Sequence, residues 1–197
     1  MLRLKSLFVL VGSILGALLL VSPAQGSIVQ ALALNELVLH ADQIVLGRVL
    51  FSETFQYPDG QFGTWHRIQI EEDIRGTSAD EREVIVETLG GRIGDLAMHV
   101  EGEPAFSVGE RVILFMRRGG PYTASRPVGM GQGVMRVRTE QGTETVTQSR
   151  EGMLLMRRNG RGGWQKSVGA LPTKERLDAF LSKVRFLVQD GAGGDDE

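Results

Sequence analysis

A chain of 197 residues with 42% hydrophobic and 23% charged residues is long enough for one packed domain and too apolar for intrinsic disorder. Its formal charge of −2 offers no global attraction to nucleic acid or to anionic membranes. With no cysteine, the chain excludes thiolate nucleophiles, disulfides, thiolate-bound zinc, iron–sulfur clusters and a lipid-modified cysteine anchor.

The first segment reads as an address. Arg3 and Lys5 precede an apolar run at residues 7–21, Pro23 breaks it, and the stretch Ala24-Gln25-Gly26 places small residues, Ala24 and Gly26, where a peptidase requires them. This three-part order is that of a secretory signal, so residues 1–26 are expected to direct export to the periplasm or beyond. Cleavage is expected near Gly26, or after Ala24. No charge occurs between Lys5 and Glu36, so a retained membrane anchor at residues 7–21 stays open as the alternative. Loss of Arg3 and Lys5 takes the charge from −2 to −4.

Residues 27–41 read as a short amphipathic helix, with Asn35 as its cap, Glu36 in its first turn and Leu34, Leu37 and Val38 facing inward. Residues 44–51 form a strand of branched side chains in which Gly47 marks a bulge or bend. Tyr57, Pro58, Asp59 and Gly60 make a turn. Residues 64–74 alternate: Thr64, His66, Ile68 and Ile70 on one face, Trp65, Arg67, Gln69 and Glu71 on the other, as a half-buried strand requires. These two strands are expected to pair as a hairpin with a long connection. A third strand covers residues 83–89 and ends at Gly90-Gly91. Residues 91–105 form a connection with short strand character at 96–100.

The run Val112, Ile113, Leu114, Phe115, Met116 is too short for a helix and lies between turn signals, so it reads as a central strand buried on both faces. Residues 134–138 and 143–147 form a hairpin around Gln141-Gly142. Residues 153–156 and 164–168 flank Asn159-Gly160, a tight-turn signal. Residues 172–188 read as a helix capped by Thr173, with Leu177, Phe180, Leu181, Val184 and Leu187 at helical spacing. Residues 190–197 are a small, acidic tail read as disordered. The 26 glycines suit a fold with many tight turns. The expected architecture is mainly β, an OB-like antiparallel barrel or sandwich with short N- and C-terminal helices, in a single domain at 27–189.

Residues 34–49 hold a short helix, then Ala41-Asp42, then a hydrophobic strand containing Gly47. With Pro104, Phe106, Gly109-Glu110, Val112 and Leu114-Phe115, and with Gly131, Gly133 and Val134, this pattern resembles a family of exported bacterial proteins of uncharacterised role, over roughly residues 34–135. The layout is also similar to the netrin and tissue-inhibitor-of-metalloproteinases modules. That resemblance implies a five-stranded OB-type barrel. Those modules carry disulfides and an N-terminal metal-binding cysteine, which this chain lacks, so inhibition of a metalloproteinase does not carry over.

No constellation of residues signals catalysis. His40, His66 and His99 lack paired metal-ligand spacing. Glu71, Glu72 and Asp73, and Asp80, Glu81 and Glu83, are runs whose adjacent carboxylates point to opposite faces of a strand, so they read as solvated surface and not as a pair held across a cleft. Gly129, Gly131 and Gly133 lack a strand–helix context for phosphate and read as turn glycines. No Ser-nucleophile motif occurs. Met153 and Met156 read as core filler. The candidate interaction patch is Arg157, Arg158, Arg161, Trp164 and Lys166, a basic hairpin bearing one aromatic, which Arg117, Arg118, Arg136 and Arg138 would extend if their strands were neighbours. The reading is a non-enzymatic binding module of the cell envelope, with no cofactor and no nucleic-acid partner. It meets another protein or an envelope polymer, and a membrane only through a retained N-terminal segment. Two alternatives stand beside it. One is a hydrolase with a site assembled from scattered Asp, Glu, His and Ser. The other is a structural or chaperone-like subunit whose helix at 172–188 packs on a partner.

Overall fold

A computed structural model describes residues 26–78, 80–119, 124–167 and 174–192. In chain order the elements are β1 (Ser27–Gln30), α1 (Leu34–His40), β2 (Gln43–Gln56), β3 (Phe62–Arg75), β4 (Glu83–Leu89), β5 (Gly91–Ile93), β6 (Leu96–Met98), β7 (Arg111–Arg117), β8 (Arg126–Pro127), a 3₁₀ turn (Met130–Gly133), β9 (Val134–Glu140), β10 (Thr143–Gln148), β11 (Met153–Arg158), β12 (Trp164–Lys166), β13 (Glu175–Arg176) and α2 (Leu177–Ala192). The fold is mainly β. Its main sheet is antiparallel in the order β13-β10-β9-β7-β2-β3-β4, with β8 added to β7. A second sheet runs β1-β11-β12, and β5-β6 form a small hairpin.

The apolar run of β7 lies in the middle of the main sheet, and all five side chains from Val112 to Met116 are fully buried. Alternation divides them between two cores. Ile113 and Phe115 join Ile44, Leu46 and Met135 beneath α1 and α2. Val112, Leu114 and Met116 join Val45, Val49, Ile68, Val86 and Val134 on the opposite face. That second core is enclosed because the sheet curls. Ser125 bridges β4, with Glu87 N–H donating to Ser125 O at 2.8 Å and Ser125 N–H to Ile85 O at 3.2 Å, while the adjoining β8 pairs with β7. The continuous ladder ends at β13 and β4 and does not itself close into a barrel.

The β2–β3 hairpin has a shorter connection than expected, because both strands run on to the turn at Tyr57 and Gly60. Gly47 sits at a register shift in this pairing, and a Cβ there would stand 2.5 Å from the Gln69 carbonyl oxygen. Gln141 and Gly142, at φ +48° and +77°, make the expected two-residue turn of β9–β10.

Four readings need correction. Residues 27–30 are a strand, not helix: they pair in parallel with β11, Ser27 N–H donating to Gly152 O and Ala31 N–H to Met156 O. A partner strand far along the chain overrides a weak local helical pattern. Helix α1 accordingly starts later, and Ala33 caps it instead of Asn35, its N–H donating to Glu36 Oε2 at 2.5 Å. Asn159-Gly160 is not a two-residue turn. The loop spans 159–163, with Asn159 Oδ1 accepting from the N–H groups of Arg161 and Gly163, and Gly162 takes the positive φ. The C-terminal helix begins at Leu177, because Glu175 and Arg176 pair with β10, and it runs to Ala192, so residues 190–192 belong to the helix and not to the tail. Pro172, Thr173 and residues 193–197 lie outside the described residues, as does the apolar segment at 7–21.

Candidate functional site

The β11–β12 hairpin carries all five residues of the basic patch. Arg158 stands opposite Trp164, Arg157 opposite Gln165 and Met156 opposite Lys166. The period of two therefore places Arg158, Trp164 and Lys166 on one face of the hairpin and Arg157 on the other. Arg157 lies 3.7 Å from Glu36 of α1. Arg161 occupies the loop. The Arg158 guanidinium sits 5.4 Å from the centroid of the Trp164 ring, a cation–π contact, and Trp164 is 53% exposed. Among the described residues, no carboxylate pairs with Arg158, Arg161 or Lys166. The run from Gly152 to Lys174 holds five basic residues and no acidic one. The rest of the chain carries 17 basic and 24 acidic residues. Arg117, Arg118, Arg136 and Arg138 do not extend this patch. Their strands are not neighbours of β11 or β12, and Arg136 is bonded to Glu110 and to the Ala105 carbonyl.

A second group lies where β2, β3 and β4 run side by side. Ser52 Oγ is 2.7 Å from His66 Nδ1, and His66 Nε2 is 2.9 Å from Thr88 Oγ1. Thr64 donates to the Gly90 carbonyl at 2.7 Å and lies 3.1 Å from Thr54 Oγ1. The Phe106 ring lies over His66, centroids 4.6 Å apart. These side chains, with Met98, Pro104 and Glu103, line a pocket of about 320 Å³. Burial pushes His66 down to about 4, so it is neutral near pH 7.

A Ser–His contact invites a nucleophile reading, and the geometry argues against it. The far imidazole nitrogen meets a hydroxyl, where a carboxylate would be needed to stabilise the imidazolium. A base held near pKa 4 abstracts a serine proton poorly. Glu71, near His66 in sequence, projects from the opposite face of β3 and pairs with Arg48 and Arg111. His40 is exposed at the end of α1, and exposed His99 pairs with Glu101 at 3.2 Å. No group of three metal-ligating side chains occurs among the described residues.

Glu87 anchors a third group. Its side chain is fully buried and accepts from Tyr57 O–H at 2.6 Å, Trp65 Nε1 at 3.2 Å and Arg126 Nε at 3.0 Å. Burial alone would raise its pKa, but these donors and the Arg126 charge outweigh that and hold it below the usual carboxylate range. Burial and the Glu87 carboxylate together push Tyr57 up to about 12. Every polar group in this cluster has a partner, so it fastens β4 to β8 and offers no reactive atom.

Sequence reasoning missed the pocket because its walls come from strands whose register only pairing defines. One signal was present: the buried face of β3 carries Thr64 and His66 among its apolar residues, and buried polar side chains need partners. The glycines at 129, 131 and 133 serve the 3₁₀ turn before β9, where a Cβ on Gly133 would stand 2.6 Å from Val128 O. Against family models and curated proteins, the chain matches none.

Proposed function

We propose that this is an exported, non-catalytic β-domain that binds an anionic polymer of the cell envelope through the β11–β12 hairpin. One observation carries the reading. Four of the five cations of a 23-residue acid-free run fall on one hairpin, the fifth, Lys174, pairing with Glu140 of the main sheet, in a chain whose remainder has a net charge of −7. Export rests on the N-terminal pattern of charge, apolar run and small residues.

The chemistry suits repeated anionic groups. Arg158 is already laid against Trp164, so it loses less conformational freedom when it meets a carboxylate, sulfate or phosphate. The exposed remainder of the indole offers a flat surface to a sugar ring. An exposed ion pair contributes only about 0.2–1 kcal/mol, so three cations hold a single anion weakly. A polymer multiplies the contact by presenting the next anion at high local concentration.

The test is chromatography on immobilised sulfated and uncharged dextran. The protein should be retained on the sulfated matrix alone and released as salt rises to about 0.5 M, where exposed charges are screened beyond roughly 4 Å. The triple variant Arg158→Ala, Arg161→Ala, Lys166→Ala should pass through unretained with its far-UV circular dichroism intact. Co-elution of that variant with the wild type would overturn the reading.

A further inference from the structure

We propose that the pocket formed by β2, β3, β4 and the segment at 98–106 binds a small amine, with Glu103 as its counter-charge. This stands apart from the hairpin, and either reading can fail alone.

Glu103 is anomalous among the sheltered carboxylates. Glu87 has Arg126, Glu110 has Arg136, Glu71 has Arg48 and Arg111, and Glu72 has Arg185. Glu103 accepts a single hydrogen bond, from Leu89 N–H at 3.3 Å, and no cation lies within ion-pair distance of it among the described residues. Its carboxyl is pushed up by burial, which the Leu89 bond and the distant Arg126 charge only partly offset. A desolvated carboxylate with so little compensation lowers stability, and a bound cation supplies what is missing.

The rest of the wall is built to accept hydrogen bonds. Thr64 spends its only hydroxyl proton on Gly90 O, so Thr54 donates in the Thr54–Thr64 contact. Thr54 Oγ1 is then left with lone pairs and no proton, which suits an N–H donor. Among the described residues no lysine or arginine lines the pocket, and His66 is neutral. His99 lies at its rim with Glu101 beside it. The Phe106 ring adds an aromatic face, which favours a cation over an anion. Gly91 keeps the floor open. Its φ is +140°, and a Cβ there would strike the Thr54 and Thr64 hydroxyls at 2.5 Å. The volume of about 320 Å³ is at the small end for ligand sites and matches an amino sugar or a lysine side chain.

These two sources share the aminium group and are separated by the probes. The full chain is titrated with glucosamine and with Nα-acetyl-lysine amide, followed by ¹⁵N chemical shifts at Leu89, Gly90 and Gly91. N-acetylglucosamine and glucuronate serve as neutral and anionic controls. At least one amine should give saturable shifts, and the controls should give none. Glu103→Gln keeps an acceptor for Leu89 N–H and should bind the amine at least tenfold more weakly. It should also melt no lower than the wild type, because the uncompensated charge is gone. Thr54→Val should weaken binding several-fold. Equal binding of the neutral control, no saturable shift with either amine, or unchanged affinity in Glu103→Gln would each overturn the proposal.

Discussion

His66 carries the clearest residue-scale consequence. It is 3% exposed, both ring nitrogens are engaged by hydroxyls, and its pKa falls from 6.5 to about 4. The unfolded chain therefore takes up this proton near pH 6.5, while the native state resists until about pH 4. The neutral imidazole contributes stability that is complete above pH 6.5 and is lost as pH falls through that window. The full difference is about 3 kcal/mol. Urea denaturation between pH 7 and pH 4 should show stability falling steeply, and His66→Gln should flatten that slope. Identical slopes in the two proteins would place the titration elsewhere. Glu103 works with the opposite sign, since its raised pKa costs stability as pH rises, so the wild-type-to-variant difference is the quantity that isolates His66.

Among the elements, α2 shows where sequence pattern and structure agree and why. Leu177, Phe180, Leu181 and Val184 recur at helical spacing, and all four are buried against the main sheet and α1. The apolar face of α2 is therefore part of the chain's own core. Phe180 meets Phe115 of β7 edge to face, with centroids 6.5 Å apart. Phe180→Ala should cost about 3–5 kcal/mol in urea denaturation, the usual range for a buried phenylalanine. A cost under about 1 kcal/mol would mean that α2 is not a core element. Strands β3, β4, β9 and β10 were equally legible, because alternation and turn residues act locally. Strand β1 was not. Ser27, Ile28 and Val29 are ambiguous by themselves, and their extended form comes from pairing with β11, more than a hundred residues away.

The whole molecule is held in its curl by a narrow seam. Ser125 bridges β4 by backbone bonds, its hydroxyl donates to Gln43 Oε1 at 2.6 Å, and Arg126 reaches Glu87 beside it. Glu87→Ala would leave Arg126, Tyr57 and Trp65 without their shared acceptor. The expected cost is about 3 kcal/mol, with amide exchange at Glu87 and Ser125 accelerating more than exchange in the β2–β7 ladder. Uniform exchange across both would show that the seam does not open separately. Composition, periodicity and turn chemistry by themselves settled the β class, the strand at 112–116 as the centre, the helical face of α2 and the basic character of the segment at 157–166. Those signals come from neighbours a few residues apart. Only tertiary structure decided which strands lie side by side, and so which polar groups meet. The Ser52–His66–Thr88 row, the Glu87 cluster and the solitary Glu103 each join residues from separate strands or loops. No local pattern encodes such pairings, because register and curl are properties of the assembled sheet.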